Sequence, residues 1–175
     1  PKRLIVTADE FGIDVHVNEA IERAYAEGVL TGASLMMGGD AAHDAIERAR
    51  RLKGLAVGLH VTLADGRSLL PRKRIPDLVD QHGRFRDGLF TSGVRWFFRS
   101  DVRRQLCAEI DAQFQAFVRS GLVLDHVNAH KHLHLHPTVG AALARIGRRY
   151  GVPAIRIPAE PRRIVSLVPS WTETL

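Results

Sequence analysis

The feature that most constrains the fold is a regular alternation of short apolar runs with amphipathic helical stretches. The strand-like runs are rich in apolar and β-branched residues and comprise RLIVTA (3–8), GASLMMGG (32–39), LAVGLHVTL (55–63), LVLDHVNAH (122–130) and VPAIRIP (152–158). The helical stretches between them cover 17–27, 41–52, 102–121 and 138–151. This order is typical of parallel βα units and predicts an α/β protein, as either an open doubly wound sheet or a (β/α) barrel.

The segment 64–98 interrupts this alternation. It contains glycine, proline and basic residues and ends in VRWFF (94–98). We interpret it as a long insertion between the third strand and the long helix that follows. Insertions of this size in compact domains are often functional lids.

Composition narrows the classes of partner. The net charge of +6 comes mainly from arginines, which are scattered and accompanied by no DNA- or RNA-binding signature, so we expect no nucleic-acid partner. The single cysteine, Cys107, excludes an internal disulfide and lies within a helical pattern, where packing is its expected role. We see no signal peptide and no apolar run near the roughly 20 residues of a membrane span. The expected location is therefore cytoplasmic.

Potential ligands and bases collect where the predicted strands end. They are Asp9 and Glu10 after the first strand, His60 on the third, and Asp125, His126, Asn128 and His130 on the fourth. In parallel α/β folds the active site lies at the carboxyl ends of the strands, so these side chains are expected at one rim. Carboxylates and imidazoles together are the ligands of a divalent metal with an adjacent general base.

The histidines of NAHKHLHLHP (128–137) occupy every second position. On a strand, His130, His132, His134 and His136 would share one face. We expect His130 and one or two others to reach the metal, while the rest support the substrate or the ligands. An exposed strand edge and a histidine-rich metal store remain alternatives, and His60 could be a satisfied core histidine.

Several motifs together resemble one known family. They are TADEFG (7–12), VNEAIERAYAEGVLTGASLMM (17–37), VGLH (57–60) and DHVNAHKHLHLHP (125–137). In this order they resemble the YdjC/ChbG-like carbohydrate deacetylases over roughly residues 3–160. NAHKHLHLHP and IPDLVDQHGRF (75–85) look most similar to the branch called HpnK, which is associated with hopanoid biosynthesis.

The resemblance implies a (β/α) barrel-like deacetylase fold over residues 1–161 that is incomplete at its C-terminus. The last segment, 162–175, resembles instead the start of a periplasmic binding protein. A truncation or a fusion junction near residue 161 is the expectation that follows, and the alternative is ordinary sequence variation with a fifth or sixth strand in this segment.

The resemblance also implies roles for individual residues. Asp9 matches the general base, and Glu10, His60 and His130 match the metal ligands. His132 and His134 match the further histidines of the family's histidine-rich motif, and one of the two is expected to act catalytically by protonating the leaving amine. The family usually has Asp where this chain has Glu10, and the extra methylene moves the carboxylate outward by about 1.5 Å. The implied cofactor is a divalent metal, Mg²⁺ or Zn²⁺.

The implied activity is metal-dependent hydrolysis of the N-acetyl group of an N-acetylglucosaminyl sugar or glycolipid, including a hopanoid lipid. The expected partners are this substrate, a second copy of the chain in a homodimer, and the inner-membrane surface, where VRWFFR (94–99) would insert Trp96, Phe97 and Phe98. The alternative for these three aromatic residues is that they pack inside the barrel. The alternatives are a non-catalytic histidine-rich metal-binding protein, an inactive deacetylase fragment and a phosphoesterase.

Overall fold

A computed structural model describes residues 4–86 and 88–157, and its centre is a four-stranded parallel sheet. The strands are β1 (Thr7–Phe11), β2 (Gly32–Leu35), β3 (Ala56–Val61) and β4 (Val127–Ala129), in the spatial order β1-β2-β3-β4. Ile155 continues the sheet beyond β4 through one parallel bridge to Val127.

In the part of the chain that the structure describes, five α-helices surround the sheet. They are α1 (Val15–Ala26), α2 (Ala42–Arg51), α3 (Leu89–Phe98), α4 (Ser100–Arg119) and α5 (Pro137–Arg149). The Asp14 side chain caps α1 by accepting a hydrogen bond from the His16 amide, and Pro137 occupies the first turn of α5, where its missing N–H costs nothing. Helices α1, α2, α4 and α5 lie within about two residues of their predicted bounds.

The strand order decides between the two predicted architectures. Each described strand pairs in parallel with the next one in sequence, and the order does not reverse between β1 and β4. An open doubly wound sheet reverses at a switch point, whereas a barrel adds its strands consecutively. The structure is therefore the α/β, barrel-like arrangement.

The core forms where the sheet meets α4 and α5. All four residues of β2 are buried, as expected for a parallel strand covered on both faces. The inward face of α4 contributes Leu106, Ile110, Phe114 and Phe117, all fully buried. Phe114 also stacks on Tyr150 with ring centroids 5.1 Å apart, which fixes the end of α5 against α4.

Four predicted strands differ from the structure, and one of them is the second, which ends at Leu35 rather than at residue 39. The first begins at Thr7 rather than residue 3, because no described strand pairs with Leu4 or Ile5, which are exposed. The fourth is shortened to 127–129, and the fifth is reduced to the bridge at Ile155.

The insertion between β3 and α4 is more structured than its composition indicates. Antiparallel bridges join Arg67 to Arg84 and Val79 to Phe85, and the segment ends in helix α3. The buried carboxylate of Glu109 on α4 accepts hydrogen bonds from the amides of Leu69 and Leu70 at 2.9 and 3.0 Å. The insertion is thus anchored to the long helix.

The predicted exposure of Trp96 is wrong. Its indole is buried and packs edge-on against the His136 ring, with centroids 5.7 Å apart. No helix in the described part of the chain is long and apolar enough to cross a membrane.

Candidate active site

A bulge in β1 brings two adjacent carboxylates into one site. Adjacent residues of a regular strand point to opposite faces, but the pairing of β1 with β2 shifts register between Ala8 and Phe11, and Glu10 has a left-handed φ of 63°. As a result Asp9 contacts Asn128 while Glu10 contacts His130. Both carboxylates therefore face the carboxyl end of β4.

The Asp9 carboxylate is held by three donors. Its Oδ1 accepts hydrogen bonds from Ser34 Oγ at 2.9 Å and from Asn128 Nδ2 at 3.1 Å, and the Arg156 guanidinium pairs with both carboxylate oxygens. Burial raises the pKa of Asp9, but His60, Arg156 and these hydrogen bonds outweigh it and hold the pKa below its usual 3.8. Asp9 is therefore ionised at neutral pH.

Asn128 fixes the tautomer of His60. These two residues are register partners on β4 and β3, and His60 Nδ1 lies 2.8 Å from Asn128 Oδ1. Because Asn128 must turn its amide nitrogen toward the Asp9 carboxylate, its oxygen faces His60 and requires a proton on Nδ1. Burial lowers the pKa of His60 to about 4, so the ring is neutral with a free lone pair on Nε2.

His130 lies between two carboxylates. Its Nδ1 is 3.3 Å from Glu10 Oε1 and its Nε2 is 3.7 Å from Asp65 Oδ2. The His60 and His130 rings meet edge to face with centroids 5.5 Å apart. Burial lowers the pKa of His130, and the Glu10 and Asp65 charges oppose this effect.

Unusual backbone conformations concentrate at this site. Among the described residues, the non-glycine positions with left-handed φ are Glu10, Asp65, Lys131 and His132. Lys131 forms an ion pair with Asp65, so all four belong to the rim built by β1, β3 and β4. Each such conformation costs on the order of 1 kcal/mol or more, and such costs cluster at functional sites.

The predicted strand face of alternating histidines is wrong. Residues 130–135 form a 3-10 turn, with left-handed conformations at Lys131 and His132, so the alternation does not produce one face. His130 and His134 are buried, whereas His132 is exposed. The turn buries two of the histidines by winding the chain.

The hydrogen bonding of His134 defines its chemistry. Its Nδ1 accepts the Ala129 backbone N–H at 3.2 Å, so the neutral ring carries its proton on Nε2. This Nε2 is buried and has no hydrogen-bond partner among residues 4–86 and 88–157. Burial lowers the pKa of His134, which makes the ring a neutral donor.

Three residues of the site were missed by the sequence reasoning. Ser34 and Arg156 contact Asp9, and Asp65 contacts His130. The sequence does contain a signal for two of them. Ser34 is a polar residue within the apolar run GASLMM, and Arg156 is a charged residue within VPAIRIP. Asp65 gave none, because it lies in the irregular segment after β3.

The donor set suits a divalent metal by its chemistry. Glu10 offers a carboxylate, His60 a free Nε2 lone pair, and His130 a second imidazole, which is a ligand combination that Zn²⁺ accepts. Within the described ranges, no three His, Cys, Asp or Glu side chains already stand at metal-binding geometry.

Comparison with known proteins gives a consistent picture. Carbohydrate deacetylases from Geobacillus stearothermophilus and Vibrio cholerae are 37% identical over 166 residues and 32% identical over 152 residues. These alignments cover 94% and 86% of this chain but 64% and 57% of those proteins, so the chain spans about three fifths of the length of the curated relatives it matches.

Solved structures share the fold. A protein from Enterococcus faecalis described as a cellobiose-phosphate cleavage protein superposes with a TM-score of 0.75 and 28% identity, over 90% of this chain and 59% of that one. A lactam utilization protein from Thermus thermophilus, at 21% identity and a TM-score of 0.51 over 90% of this chain and 59% of that one, shares the fold alone.

The family described as YdjC-like protein matches residues 3–172. The match includes most of 162–175, which lies outside the described residues. The interpretation of that tail as foreign, like the assignment to the HpnK branch, stays a prediction. Because the match covers nearly the whole sequence, the chain belongs to the YdjC-like protein family.

Proposed function

We propose that this chain is a carbohydrate deacetylase that uses a divalent metal to hydrolyse the N-acetyl group of an N-acetylglucosaminyl substrate. The observation that carries the proposal is the Asp9 carboxylate, kept ionised beside Glu10 and two neutral imidazoles. The names of the relatives, which are carbohydrate deacetylases, support the same reaction.

Glu10, His60 and His130 would hold the metal. When bound, such a metal acidifies a water molecule and polarises the acetamide carbonyl. Asp9 takes a proton from the attacking water as general base, since Arg156 and Asn128 keep its carboxylate ionised and oriented. Asn128 also orients His60, because its Oδ1 accepts a hydrogen bond from the protonated Nδ1 of that ring.

The two remaining histidines have different roles in this proposal. His134 stays neutral throughout, because a proton on its Nδ1 would face the Ala129 N–H, and its buried ring supports the site from behind the ligands. His132 is exposed and has no such constraint, so it is the better candidate to protonate the leaving amine.

Acetate release from N-acetylglucosaminyl sugars tests the reaction directly. We expect acetate from the metal-loaded protein, none after chelation, and a loss of at least about 100-fold in kcat for Asp9→Asn, which keeps the shape and removes the base. Glu27→Gln, an exposed substitution at the end of α1, is the matched control. No acetate from either sugar or glycolipid substrates would contradict the proposal.

Metal stoichiometry separates the enzyme from a histidine-rich metal store. The enzyme requires one tight site that is lost in His60→Ala and in His130→Ala. A store would bind several ions per chain and would be insensitive to His60, which lies outside the histidine tract.

We further propose that the substrate is a glycolipid, with the hopanoid lipid as the specific candidate, reached at the cytoplasmic face of the inner membrane. Helix α3 supports this. Phe90, Val94, Phe97 and Phe98 are exposed at spacings of four, three and one residues, which places them along one side of the helix. This side replaces Trp96 as the membrane contact, because Trp96 is buried.

Liposome co-sedimentation tests this contact. Phe90→Ser combined with Phe98→Ser should abolish binding to anionic vesicles, whereas Val118→Ser, which removes an exposed apolar residue on α4, should not. Unchanged sedimentation of the double variant would contradict the membrane role and leave the deacetylase proposal intact.

A further inference from the structure

A chain of hydrogen bonds leads from Asp9 to the protein surface. Ser34 Oγ is 2.9 Å from Asp9 Oδ1 and 3.1 Å from His126 Nε2, and His126 Nδ1 is 2.9 Å from Asp125 Oδ1. Ser34 is fully buried and His126 nearly so, whereas about half of the Asp125 side chain is exposed. The proposed general base is thus connected to a surface carboxylate through two buried residues.

Gly58 makes this connection possible. Ser34 on β2 pairs in register with Gly58 on β3, and His126 immediately precedes β4. A Cβ built on Gly58 would lie 2.5 Å from three atoms of the His126 ring. The His126 ring therefore lies over Gly58 of β3 and reaches Ser34 on β2. Any larger residue at position 58 would occupy the space of the ring and prevent this contact.

The arrangement has the order of a Ser-His-Asp triad without access to the serine. In a hydrolase of that type the hydroxyl must be open to a carbonyl carbon. Here the Ser34 side chain is fully buried, and its hydroxyl already lies between Asp9 and His126. A nucleophilic role for Ser34 is therefore poorly supported.

Counting protons shows that the two hydrogen bonds of Ser34 depend on each other. The hydroxyl has one proton, and a carboxylate can only accept. If Ser34 donates to Asp9, then His126 Nε2 must carry a proton and donate to Ser34. Nδ1 also carries a proton, because it faces the Asp125 carboxylate, so the ring holds two protons in this state. If His126 is neutral, its one proton stays on Nδ1. Nε2 then accepts a hydrogen bond from the Ser34 hydroxyl, and this hydroxyl no longer donates to Asp9.

We propose that His126 is a positioning residue that acts through the Ser34 hydroxyl and determines whether Asp9 receives this hydrogen bond. The proposal rests on the proposed role of Asp9 as general base. The charged groups along the chain are Asp125 next to His126, and Asp9 with its partner Arg156 beyond Ser34. Between the state in which His126 donates to Ser34 and the state in which it accepts, His126 loses its Nε2–H bond and the Ser34 O–H turns from Asp9 to His126. Ser34 keeps its one proton in both states.

Nitrogen NMR of the histidine rings tests the switch without any substrate. In the metal-free protein we expect the neutral His126 ring to carry its proton on Nδ1, which faces Asp125, and to leave Nε2 as the acceptor of the hydrogen bond from Ser34. Ser34→Ala removes that donor, so the nitrogen chemical shift of His126 Nε2 should change while that of Nδ1 stays the same. The ring of His16, which is exposed on α1, should give the same shifts in both proteins. A neutral ring protonated on Nε2, or unchanged His126 shifts in Ser34→Ala, would overturn the proposal.

The pH profile of acetate release provides the functional arm. We expect kcat to rise between roughly two- and tenfold from the state in which His126 donates to Ser34 to the state in which it accepts from Ser34, because a carboxylate that loses a hydrogen-bond donor is a stronger base. Ser34→Ala should remove this step. His126→Gln, whose amide can donate to Ser34 at every pH, should remove it as well, and His16→Gln should retain it.

The two arms keep the proposals separate. If the wild-type protein releases no acetate but its His126 nitrogen shifts respond to Ser34→Ala, the deacetylase proposal fails and the Ser34–His126 coupling stands. If acetate is released and the step persists unchanged in a folded Ser34→Ala or His126→Gln protein, the positioning role is wrong.

Discussion

At the scale of single residues, Glu10 illustrates how a longer side chain is accommodated. The bulge in β1 turns the backbone at this position, and the carboxylate ends 3.3 Å from His130 Nδ1. The extra methylene of glutamate, compared with aspartate, therefore lets the Glu10 carboxylate reach His130. Shortening the side chain would withdraw the carboxylate by about 1.5 Å.

We therefore expect Glu10→Asp to weaken metal binding rather than restore an optimal site. The affinity for the preferred metal should fall by roughly 10-fold or more, because metal sites tolerate only a few tenths of an ångström of displacement. Isothermal titration calorimetry measures this, with Glu27→Gln as the control. Tighter binding in Glu10→Asp would show that the backbone at the bulge readjusts to the shorter side chain.

The depressed pKa of His60 predicts a pH dependence of stability. In the folded, metal-free protein this pKa is about 4, whereas the unfolded chain has the ordinary value near 6.5. Between these values the unfolded state binds more protons, so the free energy of unfolding decreases as pH falls from about 6.5 to 4. The full effect is on the order of 3 kcal/mol.

Urea denaturation at pH 7 and pH 4.5 in the presence of chelator measures this contribution. The wild-type protein should lose more stability on acidification than His60→Gln does, since glutamine does not titrate. Equal losses in the two proteins would show that His60 is not responsible.

At the scale of secondary-structure elements, the insertion depends on one buried carboxylate of α4. Glu109 accepts two backbone amides of the insertion and the Gln113 amide, while burial raises its pKa. Gln113 in turn exchanges hydrogen bonds with both backbone groups of Thr62 at the end of β3. Helix α4 therefore anchors the insertion, because Glu109 and Gln113 form hydrogen bonds with backbone groups that are not paired within the sheet.

Glu109→Gln should loosen the insertion more than the rest of the protein. One acceptor oxygen becomes an NH₂ group facing a donor, which costs about 1–3 kcal/mol. Limited proteolysis should then cut within 64–98 faster than in the wild type, with Glu27→Gln unchanged. Equal cleavage rates would mean that the apolar contacts of Ile75 and Val79 suffice to hold the segment.

At the scale of the whole molecule, the candidate metal ligands come from separate parts of the sheet. Glu10 lies on β1, His60 on β3, and His130 directly follows β4. An ion held by all three would bind only the folded chain and would therefore stabilise the entire domain. The stabilisation should reach about 2.7 kcal/mol at a free metal concentration 100 times the Kd.

Thermal unfolding with and without metal tests this coupling. A single transition should move to higher temperature on addition of metal, and the shift should vanish in His60→Ala but persist in His16→Ala. A shift that survives in His60→Ala would locate the ion elsewhere, for example on the exposed histidines.

Much of the architecture follows from local sequence patterns. Periodicity and terminal glycines located four of the five helices among residues 4–157, because amphipathic spacing and helix ends are properties of contiguous residues. The rule that parallel strands expose their carboxyl ends at one rim was enough to group Asp9, Glu10, His60 and His130. The histidine tract misled the strand prediction, since its alternation matches the period of a strand while the chain forms a 3-10 turn.

By itself, the sequence determined the order of βα units, the family and the set of polar residues available at the strand ends. Only the tertiary structure decided which of them touch. The bulge that turns Asp9 and Glu10 into one site, the Arg156 pair on Asp9, and the His126 ring crossing Gly58 to Ser34 all join residues far apart in the chain. Such contacts depend on strand register and on close packing across the sheet, and no local pattern of residues encodes either one.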